Sequence, residues 1–323
     1  MEIKHIVYGP VPSRRLGYSL GINNIPPKIC PYSCVYCQLG STVRMQTERE
    51  AFYKAEEVAQ SVERRVKQAR EKRQPIDYLT FVPDGEPTLD TNLGKEIELL
   101  SSLGIKIAVI TNAALIWRED VRQELQRANW VSLKVDTVNE ETWRRIDRPQ
   151  KTLQLEVIIG GMLKFANTFE GELTTESMLI QGINDDSKEI ERIADFVAEL
   201  KPDKAYLAIP TRPPAKRTIT AASEPVINMA YQILSKKLSS VEYLIGYEGN
   251  AFAFTGNVKD DLLSITSVHP MRREAVIELL RKADAGWEVV EALVKDGSLM
   301  ELEYQDKKFY MRKLPRRGRY SSV

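Results

Sequence analysis

The sequence predicts an α/β chain built as a partial (β/α)6, TIM-like barrel with a small C-terminal winged-helix-like unit. From about Tyr18 to about Ile245, short apolar runs alternate with longer, charged, amphipathic stretches, the pattern of repeated β-α units around a parallel sheet. After Gly246 the pattern becomes a Gly-containing hairpin and connector, then helix, helix and two alternating strands. Composition bounds the reading. The chain has 323 residues, 43% of them hydrophobic, with 46 Lys and Arg against 45 Asp and Glu. That is ordinary globular composition, long enough for one large core and a small second unit, and it excludes disordered and collagen-like classes.

Taken in order, the expected strands are Tyr18–Ile25, Tyr78–Val82, Lys106–Thr111, Val131–Val135, Thr175–Gln181 and Lys204–Ile209. The expected helices are Ala55–Gln74, Leu93–Leu103, Glu119–Ala128, Leu153–Asn167, Lys188–Leu200 and Glu224–Leu238. Strands each followed by a helix give an incomplete barrel, and in parallel barrels the chemistry gathers on the loops after the strands. The segment 246–270 reads as hairpin and connector. Beyond it come helices over 271–282 and 287–295, a turn at Asp296-Gly297, and strands Leu299–Tyr304 and Lys308–Arg312 joined at 305–307. The domains expected are therefore 1–263 (barrel and connector), 264–313 (helix-helix-hairpin unit) and 314–323 (basic tail). From Lys307 onward, Lys307, Lys308, Arg312, Lys313, Arg316, Arg317 and Arg319 stand without an acid. The formal net charge of +1 gives no global field. No run approaches the roughly 18–20 apolar residues of a membrane span, and the first residues show no signal-like apolar stretch, so a soluble, cytoplasmic protein without membrane contact is expected.

The cysteines carry the strongest signal. Cys30, Cys34 and Cys37 are the only three, in the spacing C-x3-C-x2-C, just after the first expected strand and among Pro26, Pro27 and Pro31. Random placement would cluster them so tightly on the order of once in a thousand chains, so they mark a site rather than a disulfide framework. A four-iron cluster held by three thiolates leaves one iron open to a ligand. Structural zinc is the alternative, but it wants a fourth ligand, and only His5 and His269 are available, neither at the usual local spacing.

With Tyr36 as the aromatic before the last cysteine, this loop resembles the signature of radical S-adenosylmethionine enzymes. The resemblance implies a [4Fe-4S] cluster on Cys30, Cys34 and Cys37, with S-adenosylmethionine on the fourth iron. It also implies a reductant such as flavodoxin or ferredoxin, and a 5′-deoxyadenosyl radical that takes hydrogen from substrate. Pro83-Asp84-Gly85-Glu86-Pro87 looks like the family's Gly-Gly-Glu-Pro segment, which implies cofactor contacts by Gly85 and Glu86, while Asp84 replaces the first glycine. Asn112, closing the third strand, is similar to a family position facing the nucleoside. On the fourth strand Ser132, Lys134 and Asp136 alternate with Val131, Leu133 and Val135, which puts the polar side chains on one face. Lys134 and Asp136 facing a lumen must pair with each other or with a ligand, and the resemblance implies cofactor contacts there. Gln181 and Asn184, after the fifth strand, resemble the segment lining adenine and ribose. Residues 208–214 then follow strand six, with Arg212 available for an anion.

GPVPSRRLGYSLGIN, the cysteine loop and PDGEPTL together resemble the branch containing the tRNA wyosine-base (imidazoG37) synthases. Those synthases carry further cysteines for a second cluster, and this chain has none to spare. Three readings follow: a single-cluster enzyme acting on tRNA or another nucleic acid, with Arg14, Arg15 and the basic tail as phosphate contacts; a radical enzyme modifying or activating a protein; and a non-catalytic iron-sulfur or zinc protein whose C-terminal unit binds nucleic acid. The second helix of that unit, GWEVVEALVKDG, has little basic character, which argues against groove reading.

Overall fold

The computed structural model describes residues 6–245, 252, 254 and 256–313. His5, most of the expected hairpin after Gly246, and the tail 314–323 with Arg316, Arg317 and Arg319 lie outside the described residues.

Strands β1 (Val7–Ser13) and β2 (Gly17–Ile22) pair antiparallel, and a small ribbon of β3 (Ile29–Cys30) and β4 (Arg44–Met45) frames the cysteine loop. Alternation then takes over: α1 (Ala55–Glu71), β5 (Tyr78–Phe81), α2 (Leu93–Ser101), β6 (Lys106–Thr111), α3 (Glu119–Leu125), β7 (Trp130–Lys134), α4 (Glu140–Ile146), α5 (Leu155–Ala166), β8 (Glu172–Met178), α6 (Ser187–Leu200), β9 (Lys204–Ala208), α7 (Glu224–Ser235) and β10 (Val241–Leu244). The sheet order is β1-β2-β5-β6-β7-β8-β9-β10, parallel from β2 to β10. It curls into a partial barrel.

The expected strands are all present, and two more extend the edges. One is β1, where Pro10 and Pro12 lack ladder donors; an edge strand tolerates them, with a register shift between Tyr8 and Val11. The other is β10, four residues long, with Glu242 and Tyr243 exposed in succession and only Leu244 buried, so it shows no alternation to read. Helix α4 is also additional, N-capped by Asn139, whose side chain accepts from Thr142 N.

Amphipathic helices bury Val58, Val62, Leu93, Ile97, Ile190, Ile193 and their neighbours against one face of the sheet. Inside the curl, a second layer joins Ala108, Trp130, Tyr206, Ala208 and Leu244 to Leu16 from the β1–β2 turn. That turn closes the amino-terminal end of the lumen, leaving the carboxyl ends of the strands for a site.

The C-terminal order is α8 (Val258–Val268), β11 (Met271–Arg272), α9 (Arg273–Lys282), α10 (Glu288–Lys295), β12 (Leu299–Tyr304) and β13 (Lys307–Arg312), with an antiparallel sheet β11-β13-β12. Here a connector expectation is corrected: α8 is a helix, capped by Asn257 Oδ1, which accepts from Lys259 N and Asp260 N, and the 263/264 division falls inside it. The hairpin turn is two residues rather than three. Tyr304 faces Lys307, and Gln305 and Asp306 sit at φ 50° and 56°. Tyr8 and Val11 of β1 pack with Phe252, Leu262, Ile265 and Met271, so the unit shares its core with the barrel edge.

Candidate functional site

A cavity of about 310 Å³ opens at the carboxyl ends of the strands. Its walls include Cys30, Cys34 and Cys37, together with Tyr36, Gly85, Glu86, Asn112, Ser132 and Lys134. These residues come from the loops after β2, β5 and β6 and from β7, and the parallel sheet gathers them at one end.

The cysteine loop is shaped by its own backbone, Cys37 N donating to Cys34 O (3.1 Å) and Gly40 N to Cys37 O (3.0 Å). Asn112 Nδ2 donates to Cys30 Sγ at 3.2 Å, and Cys34 Sγ lies 3.2 Å from Asp147 Oδ1. Burial pushes the Cys30 and Cys34 thiols up, as expected for sulfurs whose anionic form needs a metal to offset its desolvation. Among the described residues, no group of three His, Cys, Asp or Glu side chains converges on a single ion. The three sulfurs instead edge one cavity, a donor set that fits a multi-iron cluster better than closed mononuclear zinc.

Gly85 is required sterically: an added Cβ would lie 2.0 Å from Ile29 O. This close approach pairs the Gly85 segment with the start of the cysteine loop, and Glu86 N donates to Ile29 O at 3.2 Å. The Glu86 carboxylate, 1% exposed, accepts from Thr88 N (3.2 Å), Thr88 Oγ1 (2.7 Å), Thr111 Oγ1 (2.5 Å) and Asn112 N (2.8 Å). It ties the loop after β5 to the loop after β6. Burial still outweighs these bonds and raises its carboxyl above the usual range.

Ser132 and Lys134 face the lumen as the alternation predicts. Lys134 Nζ donates to Glu176 Oε1 at 2.5 Å, lies 3.9 Å from Asp136 Oδ1, and sits 5.0 Å from the centre of the Tyr36 ring. The side chain of Asp136 is buried behind the wall, accepting from Tyr36 OH and, at 2.7 Å, from Met178 N. It acts on the cavity through Tyr36.

Like Asp136, the expected ligands Asn184 and Gln181 do not line the cavity. The side chain of Asn184 is fully buried and occupied by backbone, accepting from Ile180 N and donating to Asp136 O and Met178 O, all at 2.8 Å. Gln181 is exposed and accepts from Thr220 Oγ1 at 3.0 Å. Each shapes the turn after β8. Arg14 and Arg15 are also relocated: both line the lumen, and Arg15 donates to Glu176 rather than standing on an outer surface.

Glu176 itself was not singled out from sequence. Burial alone would raise its carboxyl, but Lys134 and Arg15 outweigh burial and hold it at about 2. The loop after β9 closes the rim through residues 208–212. There Arg212 Nη1 donates to Gln38 Oε1 at 2.5 Å, and Arg212 Nη2 lies 3.0 Å from His269 Nε2. Tyr304 OH donates to Pro210 O at 3.1 Å. The cavity rim, the cysteine loop and the C-terminal unit are thus joined.

The geometry can be set beside known proteins. Residues 24–197 match the family model described as the Radical SAM superfamily. The chain is 46% identical over 316 residues to the UPF0026 protein MJ1312 of Methanocaldococcus jannaschii, covering 97% of this chain and 98% of that one. A structure of TYW1 with a lysine-pyruvate adduct bound superposes with a TM-score of 0.53 at 18% identity, over 68% of this chain and 74% of that one. A radical SAM methyltransferase from Sphaerobacter thermophilus gives a TM-score of 0.50 at 17% identity, over 70% and 66%. These two likenesses show the fold alone. No helix among the described residues is long and apolar enough to cross a membrane.

Proposed function

The chain belongs to the radical SAM superfamily, and from that premise we propose that Cys30, Cys34 and Cys37 hold its cluster and that its substrate reacts in the lumen of the partial barrel. The protein is an enzyme, and the cofactors of its family are a [4Fe-4S] cluster and S-adenosylmethionine. Held by Cys30, Cys34 and Cys37 and reduced, these cofactors would supply the one-electron chemistry that removes a hydrogen atom from substrate. One observation supports the placement above the rest: the three cysteines share a single cavity wall with Tyr36, Gly85, Glu86, Asn112, Ser132 and Lys134.

In this reading the chain positions and shields. Gly85 lets the backbone at Ile29 close on its segment, so that this stretch of cavity wall lies against the cysteine loop, Glu86 fixes the loops after β5 and β6, and Asn112 orients Cys30. Ser132 and Lys134 offer a hydroxyl and a cation to a carboxylate or ribose, with Tyr36 and Asp136 fixing the ammonium from one side and Glu176 from the other. Leu16 closes the lumen below, which keeps water from a reactive radical.

The substrate reading is tRNA or another nucleic acid, supported by the resemblance of the N-terminal segment and PDGEPTL to the wyosine-base branch. Arg14 and Arg15 no longer serve it from the surface, so phosphate contacts would fall to the basic C-terminal segment. A protein substrate is the second reading, favoured by the placement of the C-terminal unit, whose Tyr304 touches the rim at Pro210. Its helix-strand-helix-helix-hairpin order is the order of a winged helix, which we propose it to be. We place the protein in the cytoplasm, where low-potential reductants are found.

The test is anaerobic reconstitution with iron and sulfide, reduction, addition of S-adenosylmethionine, and assay of 5′-deoxyadenosine beside the low-temperature EPR spectrum. The product should form with a cofactor-dependent change in the cluster signal, and Cys34→Ala should abolish both. A Cys34→Ala protein that still cleaves the cofactor would overturn the assignment.

A further inference from the structure

The cysteine loop has an outer side, and two segments clamp it there. After α4, Val35 N donates to Ile146 O (2.9 Å), Ser33 N to Asp147 O (3.0 Å) and Gln150 N to Pro31 O (2.8 Å); beyond β9, Lys216 N donates to Val35 O (3.1 Å). Pro31, Ser33 and Val35 do not line the cavity, so these clamps sit on the loop's other side.

Both clamps are basic. Arg144, Arg145, Arg148, Lys151 and Arg217 are exposed, and Lys216 is half-buried. Arg144 pairs with Glu140 at 2.5 Å, and Arg145 donates to Gly182 O at 3.1 Å. Among the described residues, the side chains of Arg148, Lys151, Lys216 and Arg217 enter no ion pair. The nearby acids are few. Glu140 is spent on Arg144, the Asp185 carboxylate accepts from Gly182 N (2.8 Å), and Asp147 is buried beneath the loop. Glu141, Asp186 and, at the start of α5, Glu156 are exposed and enter no ion pair among the described residues, fewer than the cations they stand among. A chain of net charge +1 therefore gathers positive charge on one border, and that border is carried by the two segments bonded to the outer side of the cysteine loop.

We propose that this basic collar is the docking surface for an acidic one-electron carrier protein. The inference rests on the cluster assignment above. A partner seated on the collar faces the backs of the cysteines and not the lumen, so it can deliver an electron but cannot present a substrate atom to the cavity. The carrier loses one electron, the oxidised cluster gains one, and no atom is transferred. Opposed charge steers such an encounter and orients it, and salt weakens it.

The experiment uses the reconstituted enzyme and its variant Arg148→Gln/Lys151→Gln/Lys216→Gln/Arg217→Gln, with an acidic flavodoxin as probe. Affinity for the oxidised flavodoxin should fall about tenfold or more at low ionic strength, and the gap should close as salt rises. Cluster reduction by flavodoxin hydroquinone, followed by EPR, should slow in parallel, while reduction by dithionite stays at the wild-type rate. A charge-reversed Arg148→Glu/Lys151→Glu enzyme should lose more. Wild-type flavodoxin affinity in the fourfold variant overturns the proposal, and so does a loss confined to tRNA binding. A wild-type protein that dithionite cannot reduce would overturn the cluster reading instead, while affinity for oxidised flavodoxin would still decide the docking surface.

Discussion

On the lumen side of the cysteine loop, Glu86 is held by four donors and Glu176 lies between Arg15 and Lys134. On the outer side, Arg148, Lys151, Lys216 and Arg217 stand among few acids. The difference follows from solvent. A buried charge must be paired or hydrogen-bonded because water cannot reach it, whereas exposed like charges repel weakly and are screened. Inside, therefore, the charge pattern reports what the fold needs to stand. Outside, where the fold needs nothing from it, it reports what the surface meets.

The largest effect should come from breaking the inner side at Glu86. Glu86→Ala leaves two backbone donors and two hydroxyls without their acceptor in the buried wall of the cavity, a cost of roughly 2–4 kcal/mol. The melting temperature should fall accordingly, and equilibrium affinity for S-adenosylmethionine should drop at least tenfold while the cluster spectrum persists. Unchanged stability and affinity together would show that the carboxylate organises nothing.

Asp84, two residues away, is the exception that sharpens the contrast. It is 1% exposed, and neither carboxylate oxygen has a hydrogen-bond partner. Burial lifts its carboxyl to about 7, with Lys28 and Arg312 pulling it back. A folded-state value above the unfolded one means that the native state holds the extra proton between about pH 4 and 7, and stability falls as pH rises through that window. Asp84→Asn should therefore gain on wild type as pH rises, by on the order of 2 kcal/mol at pH 8 after the cost of an unpaired amide. Near pH 4, where the wild-type carboxyl is protonated in the folded state, only the cost of the unpaired amide remains and the sign should reverse, the variant being the less stable protein. Thermal melts at the two pH values decide it, and a pH-independent difference would show that Arg312, reaching in from β13, already neutralises the carboxylate.

How much of this was legible in the sequence follows the same division. The cysteine loop, Gly85 and Glu86 are contiguous, and the alternation of Ser132 and Lys134 with apolar neighbours names their face directly. Glu176 escaped because its meaning lies in register: Lys134 faces it only once β7 and β8 pair, and Arg15 reaches it from 161 residues away. Asn184 and Gln181 lie off the cavity for the complementary reason. A polar residue after a strand serves its own turn as readily as a ligand, and Asn184 spends its amide on three backbone groups. Helix α8 had a readable cap in Asn257 ahead of two acids, but the glycines before it drew the reading toward a connector. Arg14 and Arg15 read as surface contacts because no local pattern tells a hairpin turn that faces solvent from one that plugs a lumen.

The smallest expected effect tests the outer side alone. Lys151→Gln removes an exposed charge that enters no ion pair among the described residues, so the melting temperature should move by no more than about 1 °C. If the collar's charges exist for a partner, the same change should weaken flavodoxin binding by about two- to threefold at low salt and leave no difference at high salt. Stability and association would then separate at a single side chain, which they cannot do at Glu86. A Lys151→Gln protein that loses stability instead would place this lysine among the charges the fold requires and remove it from the docking surface.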